Sequence, residues 1–122
     1  MDDNNENPIV MYILVNNDLK LKSGQIAAQV GHAVYLVVDE LVQLSFCSGS
    51  PTTDIELYML WRRSPTKIVK KCNEQELFEL SKLPGTKTMF DNVGKDNSIK
   101  ITAVGFYPSN QLTDVVGKFK LL

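Results

Sequence analysis

The chain has 122 residues, of which 43% are hydrophobic and 22% charged, and its formal net charge is −1. These values are typical of one globular domain with its own core, and they exclude a disordered chain, a collagen and a disulfide scaffold. No apolar run reaches the roughly 18 residues of a membrane span, and the polar start of the chain is unlike a signal peptide. We therefore expect a cytoplasmic protein that makes no membrane contact.

The two cysteines and the single histidine predict neither a disulfide nor a metal centre. Cys47 and Cys72 belong to no Cys-x-x-Cys pattern, so both are expected to be reduced thiols. His32 alone cannot supply the ligand set of a zinc site. We expect no metal and no cofactor.

Basic residues form small clusters although the net charge is slightly negative. Because Asp2, Asp3 and Glu6 lie at the start, the rest of the chain is slightly basic. Such clusters are more often solvated surfaces than phosphate contacts, and both alternatives stay open. The clusters are Lys20 and Lys22, Arg62 to Lys67, Lys70 and Lys71, and Lys118 and Lys120.

The predicted elements begin after an acidic, disordered tail at residues 1–8, and residues 9–122 are expected to form a single domain. The apolar, β-branched run 9–15 predicts a buried strand. From Gly24 to Leu44, apolar residues recur about every three to four positions, which predicts a long helix with Ser23 as its cap.

The rest of the chain predicts, in order, a helix, a strand, a helix, two strands and a helix: 54–63, 66–72, 74–82, 86–90, 99–106 and 110–118. Asn73 and Glu76 form a capping box for the middle helix, and Ser109 is expected to cap the last one. The two consecutive strands require an antiparallel pair. The alternation predicts an α/β fold with helices on both faces of a mixed sheet.

One polar cluster lies where the first strand meets the long helix. Gln25, Gln29 and His32 follow each other at helical spacing, just after Lys20 and Lys22. Helix N-termini expose N–H groups, and ligands bind at the carboxyl ends of strands in α/β sheets. The junction therefore suits an anionic or carbonyl-bearing ligand. The alternative is that these residues bind nothing, with the two glutamines on the surface and the histidine in the core.

Generic catalytic motifs are absent from the sequence, which contains no GxSxG, HExxH, phosphate-loop or GxGxxG pattern. Instead, NNDLKLKSGQIAAQVGHA at 16–33 resembles the opening of the archaeal and eukaryotic (type 2) peptidyl-tRNA hydrolases, close to (R)xDLKMGKGKxAAQxxHA. The resemblance continues through Trp61 and PTKIVKK, through NEQELFEL, and through Asp91 at the aspartate of the family's DAGxTQ loop. It ends with ITAVGFYPSNQLTDVVGKFKLL, so it covers nearly all of 9–122.

This resemblance implies a fold and a reaction. The fold is a three-layer α/β/α sandwich on a four-stranded mixed sheet, commonly in a homodimer. The reaction is hydrolysis of the ester that joins a peptide to the 3′ ribose of tRNA, which recycles both. No cofactor is implied.

The resemblance also implies a catalytic set. Asp91 is expected to orient a water molecule or accept its proton, and Thr102 to hydrogen-bond that water. Lys20 is expected to stabilise negative charge, and Gln29 to position the ester or the terminal adenosine. His32 is expected to support the helix.

A second set of side chains is expected to bind the substrate, with the lysines at 67, 70 and 71 on the tRNA backbone: Asp18, Lys22, Gln25, Lys67, Lys70, Lys71 and Lys95. Gln25 replaces a lysine of the family pattern, so one positive charge is missing there. Lys20, Lys22 or Lys95 is a candidate replacement. The alternatives to an active enzyme are an impaired relative that binds tRNA or a protein, and an unrelated α/β interaction domain.

Overall fold

The computed structural model describes residues 7–47, 52–93, 96 and 98–122. Most of the predicted tail and Lys95 therefore lie outside the described residues. The elements, in chain order, are β1 (Met11–Asn16), a 3-10 turn (Asn17–Leu19), α1 (Ser23–Cys47), α2 (Thr53–Trp61), β2 (Lys67–Cys72), α3 (Glu74–Ser81), β3 (Thr86–Asp91), β4 (Lys100–Phe106), α4 (Thr113–Val116) and β5 (Lys120–Leu121). This order confirms the predicted α/β class.

The strands form one mixed sheet in the order β3-β4-β1-β2-β5. β1 and β2 are parallel, whereas β4 is antiparallel to β1, β3 to β4, and β5 to β2. The mixed sheet is confirmed, but the expected count of four strands is wrong because β5 adds an edge strand. Two residues are too few to show the alternation that marks a strand in a sequence.

Helices pack on both faces of this sheet. Alternate side chains of β1 point to opposite faces, and apolar residues on each face need to be covered. Met11, Ile13 and Val15 join one apolar cluster with residues of α1 and α2. Leu14 joins a second cluster with residues of α3 and α4. Gly105 of β4 allows α1 to approach closely, since a Cβ atom there would lie 3.0 Å from Cγ2 of Val37.

The helix ends agree only partly with the predicted caps. The capping box of α3 is confirmed, because Asn73 and Glu76 each accept the other's backbone N–H. Ser23 does not cap α1: Ile26 N donates to Lys22 O at 2.9 Å, so Lys22 is the cap residue and Ser23 is the first helical residue. α1 also runs three residues past the predicted end, to Cys47.

The predicted helix 110–118 is shorter in the structure, and its predicted cap is wrong. Ser109 Oγ accepts the N–H of Gln111 at 3.0 Å, which uses the hydroxyl in a turn before the helix. The residue that precedes α4 is Leu112, and it has no side-chain cap.

Two further expectations concern cysteines and membranes. Cys47 and Cys72 are both free, which confirms the predicted thiols, and burial raises the pKa of Cys72 to about 12. By length and composition α1 is apolar enough to cross a membrane, a property that core helices of soluble proteins share. Here α1 buries Ala33, Val37 and Leu41 against the sheet.

Candidate active site

The sheet topology brings the predicted catalytic residues to one edge. β1 and β2 are parallel, so their carboxyl ends meet there, and the antiparallel β4 begins where β1 ends. β3 runs antiparallel to β4 and ends at the same edge with Asp91. α1 starts from this edge, at the kind of position where α/β sheets bind ligands.

A buried hydrogen-bonded chain links α1, β3 and β4. Gln29 Nε2 donates to Asp91 Oδ2 at 2.9 Å, and Thr102 Oγ1 donates to Gln29 Oε1 at 2.7 Å. Gln29 is 4% exposed and Thr102 is fully buried. Because an ionised carboxylate only accepts hydrogen bonds, the amide nitrogen of Gln29 must face Asp91 and its oxygen must face Thr102.

A β-bulge aims the Thr102 hydroxyl at α1. Met89 pairs with Ala103 and Phe90 pairs with Ile101, so Thr102 is an extra residue on β4. As a result, two consecutive residues face α1: Thr102 hydrogen-bonds to Gln29 of this helix, and Ala103 packs in the apolar cluster on the same side. In a regular strand these neighbours would face opposite sides of the sheet.

The surroundings of Asp91 favour its charged form. The hydrogen bond from Gln29 is the largest cause that lowers the pKa of Asp91, followed by the backbone N–H of Asn92 at 2.7 Å. Slight burial opposes these effects, and the nearby charge of His32 adds to them. Asp91 is therefore an ionised, partly exposed carboxylate at neutral pH.

His32 and the two glutamines differ in burial although they share one helix. His32 is exposed, so the core-histidine alternative is wrong. Gln25 is exposed, whereas Gln29 is buried. The alternative that both glutamines are surface residues is therefore correct for Gln25 and wrong for Gln29.

Gln25 caps the helix on which it lies. Its Oε1 accepts the backbone N–H of Lys22 at 3.0 Å, which is half of a capping box. A lysine has no acceptor and cannot make this contact. The replacement of the family lysine therefore removes a positive charge and adds a helix cap.

Asp18 bonds to the start of α3. Its Oδ2 accepts the N–H of Glu74 at 2.9 Å, at a helix N-terminus where a negative charge is favourable. This contact connects the turn after β1 to α3. The expected contact of Asp18 with substrate stays a prediction.

Asn16 is a site residue that the sequence did not indicate. It is 1% exposed, and its Nδ2 donates to Ile101 O at 2.8 Å and to Glu74 Oε1 at 3.2 Å. Its Oδ1 accepts the N–H of Asp18 at 2.9 Å. Asn16 thus fixes the carbonyl that precedes the bulged Thr102. A polar residue after an apolar run is typical of a loop, which hid this role.

Lys20 and Lys22 lie exposed on the connection between β1 and α1. Lys20 has φ 51° and ψ 46°, a left-handed conformation that costs a non-glycine residue about 1 kcal/mol or more. It lines a surface cavity together with Val15, Ile26 and Leu122. Strained residues of this kind concentrate at functional sites.

The three lysines of β2 do not form one patch. Lys70 donates to Val116 O at 3.0 Å and lies 5.9 Å from the Tyr12 ring, on the α4 side. Lys67 lies 5.7 Å from the ring of Trp61 in α2, on the opposite side. Lys71 shares that side because alternate residues of a strand share a face. Their contacts with tRNA stay predictions, as do those of Lys95.

Within the described ranges, no three His, Cys, Asp or Glu side chains converge as metal ligands. The expected absence of a metal and of a cofactor stays a prediction.

Comparison with known proteins shows which family the chain resembles. A family model described as peptidyl-tRNA hydrolase PTH2 matches residues 9–122. A peptidyl-tRNA hydrolase from Sulfolobus acidocaldarius is 32% identical over 124 residues, which covers 92% of this chain and 98% of the relative. Both matches confirm the resemblance seen in the sequence. The chain therefore belongs to the PTH2 family of peptidyl-tRNA hydrolases.

Proposed function

We propose that this chain hydrolyses the ester bond between peptide and tRNA in peptidyl-tRNA and releases free tRNA and peptide. The observation that carries the proposal is the Asp91 carboxylate, hydrogen-bonded by Gln29 at the edge where β1 leads into α1. Family membership supports the same reaction.

Asp91 orients the attacking water. Its lowered pKa keeps it ionised at neutral pH, so the carboxylate can accept a hydrogen bond from the water and then take the water's proton. As the water oxygen bonds to the acyl carbon, the water's proton moves to Asp91. The ester C–O bond then breaks, and that proton passes to the 3′ oxygen of the ribose.

Gln29 and Thr102 act through Asp91. The amide of Gln29 is hydrogen-bonded at both ends, to Asp91 and to Thr102, so it holds the carboxylate in one orientation. Because both ends of its amide are already hydrogen-bonded, Gln29 is better placed to orient Asp91 than to make the expected contact with the ester. Thr102 is buried, so it fixes the amide of Gln29 rather than bonding the water itself.

Positive groups at the same edge stabilise the negative oxygen that develops during attack. Lys20, Lys22 and the first N–H groups of α1 lie on the β1–α1 connection. Preorganised donors of this kind are usually the largest contribution to acyl transfer. Lys20 or Lys22 replaces the family lysine that is absent at Gln25.

The alternative is an impaired relative that binds tRNA or a protein without turnover. Gln25 favours it, because the missing ammonium would lie near the reacting ester, and so does the departure of the loop after Asp91 from the family's DAGxTQ pattern. The intact Thr102–Gln29–Asp91 chain and the match over nearly the whole sequence favour the enzyme.

Further parts of the proposal concern the whole protein. We propose a single domain at residues 9–122, a three-layer α/β/α sandwich that the two apolar clusters support, preceded by an acidic tail. We also propose a cytoplasmic homodimer that needs no metal.

The test is release of tRNA from N-acetylated aminoacyl-tRNA or from peptidyl-tRNA by the purified chain. We expect release well above the rate in buffer, and the Asp91→Asn protein, prepared in parallel, controls for a contaminating hydrolase. Release no faster than in buffer would refute the proposed hydrolase activity and favour the impaired relative that binds tRNA or a protein.

A further inference from the structure

Two lysines face each other on the edge of the sheet. Lys71 of β2 and Lys120 of β5 are register partners in an antiparallel pair. Such partners have Cβ atoms about 4.5–5.5 Å apart and share a face, and like charges in this arrangement repel. Neither ammonium has an ion pair or a hydrogen bond within the described part of the chain.

The paired lysines lie beside the cavity that Lys20 lines. Lys71 is also the register partner of Val15 in β1, and Val15 lines that cavity. Leu122 follows Lys120 by two residues, so it shares the same face, and it lines the cavity as well. Two ammonium groups that have no ion pair within the described ranges therefore lie beside a cavity whose lining residues carry no acidic side chain.

One lysine of β3 and one of β4 have acidic partners. Lys87 of β3 forms an ion pair of 3.0 Å with Glu40, and Lys100 of β4 lies 4.0 Å from Asp96. Among the described lysines on the α1 face of the sheet, those without an acidic partner therefore lie on β2 and β5. Asp91 lies on the β3–β4 side of the same helix, three strands from β2, which is about 14 Å at the usual strand spacing.

We propose that Lys71 and Lys120, beside the cavity that Lys20 lines, bind phosphates in the single-stranded 3′ end of the RNA substrate. The inference deepens the proposed function and rests on it. A few extended nucleotides bridge from this site to an ester at Asp91, and the apolar walls formed by Leu21 and Ile26 suit an unpaired base. A duplex has its bases stacked inside and cannot insert one.

The lysine pair predicts two effects of opposite sign. If repulsion is relieved only by bound phosphate, removing one charge stabilises the free protein and weakens its binding to RNA. If the lysine had a purely structural role, replacing it would lower both the stability of the free protein and its affinity for RNA. Lys120→Gln and Lys71→Gln are the direct variants. Lys118→Gln is the matched control because Lys118 lies over the ring of Phe119, which belongs to the apolar cluster on the other face of the sheet.

The experiment measures binding of deacylated tRNA to the full chain by fluorescence anisotropy over a range of salt concentrations. For the Lys71→Gln, Lys120→Gln double variant we expect about tenfold weaker binding and a slope of log Kd against log salt that is smaller by about 1.5. Its thermal unfolding midpoint should rise at low salt and match wild type at high salt. The control should change neither quantity.

Unchanged affinity and salt slope in the double variant would overturn the inference, and so would a lower unfolding midpoint at low salt. A tRNA trimmed of its unpaired 3′ nucleotides should bind wild type more weakly and should not distinguish wild type from the double variant. If it does distinguish them, the lysines contact duplex and the single-strand assignment fails. If anionic lipid vesicles, but not RNA, lose affinity in the variant, the partner is a membrane and the inference also fails.

Failure of the proposed function gives a different result. In that case wild type releases no tRNA from peptidyl-tRNA, whatever its affinity for tRNA. If the inference alone is wrong, wild type hydrolyses the ester and the double variant binds tRNA as wild type does.

Discussion

Gln29 and Asp91 are 62 positions apart in the chain, yet Gln29 Nε2 donates a hydrogen bond of 2.9 Å to Asp91 Oδ2. This contact joins the long helix to the end of an edge strand. It keeps the carboxylate ionised and fixes the direction in which its exposed side faces solvent.

The first prediction concerns pH. Asp91 has a lower pKa in the folded chain than in the unfolded chain, so its hydrogen bonds stabilise the fold above the unfolded pKa, and this contribution is lost as pH falls through the folded pKa. Gln29→Glu replaces the donor with a like charge and raises the pKa of Asp91. The acid limb of the pH–rate profile should therefore move to higher pH.

A matched control exists on the same helix, where Gln43 donates to Asp39 at 3.1 Å far from the site. Gln43→Glu makes the same change of charge beside an aspartate and should leave the profile in place. An acid limb that stays fixed in Gln29→Glu would mean that Asp91 is not the titrating group.

The second prediction concerns the bulge. Thr102→Val keeps the shape of the side chain but removes the hydroxyl that holds Gln29 Oε1. We expect kcat to fall about tenfold, equivalent to roughly 1.4 kcal/mol, with little change in KM. Thr102→Ser restores the hydroxyl and should recover most of the rate. Equal losses in the valine and serine variants would indicate packing rather than hydrogen bonding.

The third prediction concerns Asn16. Asn16→Ala leaves Ile101 O and the N–H of Asp18 without their partners, which should lower the free energy of unfolding by about 2 kcal/mol. Urea denaturation measures this change. Asn17→Ala is the neighbouring control, since the Asn17 side chain makes no hydrogen bond to the residues that the structure describes, and it should unfold near wild type. Similar stability of both variants would contradict the role given to Asn16.

The fourth prediction concerns Gln25. Gln25→Lys restores the family charge but removes the acceptor for the Lys22 N–H, so the unfolding free energy should fall by about 0.5–1 kcal/mol. Because Lys20 or Lys22 already supplies the charge that this lysine would add, the hydrolysis rate should stay within about twofold of wild type. A rate several-fold above wild type would contradict that replacement.

Much of the fold could be predicted because its sequence patterns are local. The apolar run at 9–15, the helical stripe of α1 and the Asn73–Glu76 box each depend on neighbouring residues, and the structure confirms all three. β5 has only two residues, and its pairing with β2 depends on tertiary packing, so no local pattern indicated it.

The residues of the candidate site could be predicted from the sequence, but their hydrogen bonds and orientations could not. The family pattern identified Gln29, Asp91 and Thr102, whereas only the register shift in β4 shows why Thr102 faces α1. The opposite directions of Lys70 and Lys71 follow from the period of a strand and were available from the sequence. The buried role of Asn16 was not, because it depends on a carbonyl 85 positions away.

The most direct test of the account is the single-turnover rate of Asp91→Asn on peptidyl-tRNA, measured beside its affinity for deacylated tRNA. Asparagine keeps the shape of the side chain but cannot accept the water's proton, so we expect the rate to fall at least about a hundredfold. Affinity for tRNA should stay within about twofold of wild type, since removing one negative charge changes electrostatic binding only slightly. A variant that cleaves at the wild-type rate would contradict the role of Asp91 and, with it, the proposed mechanism.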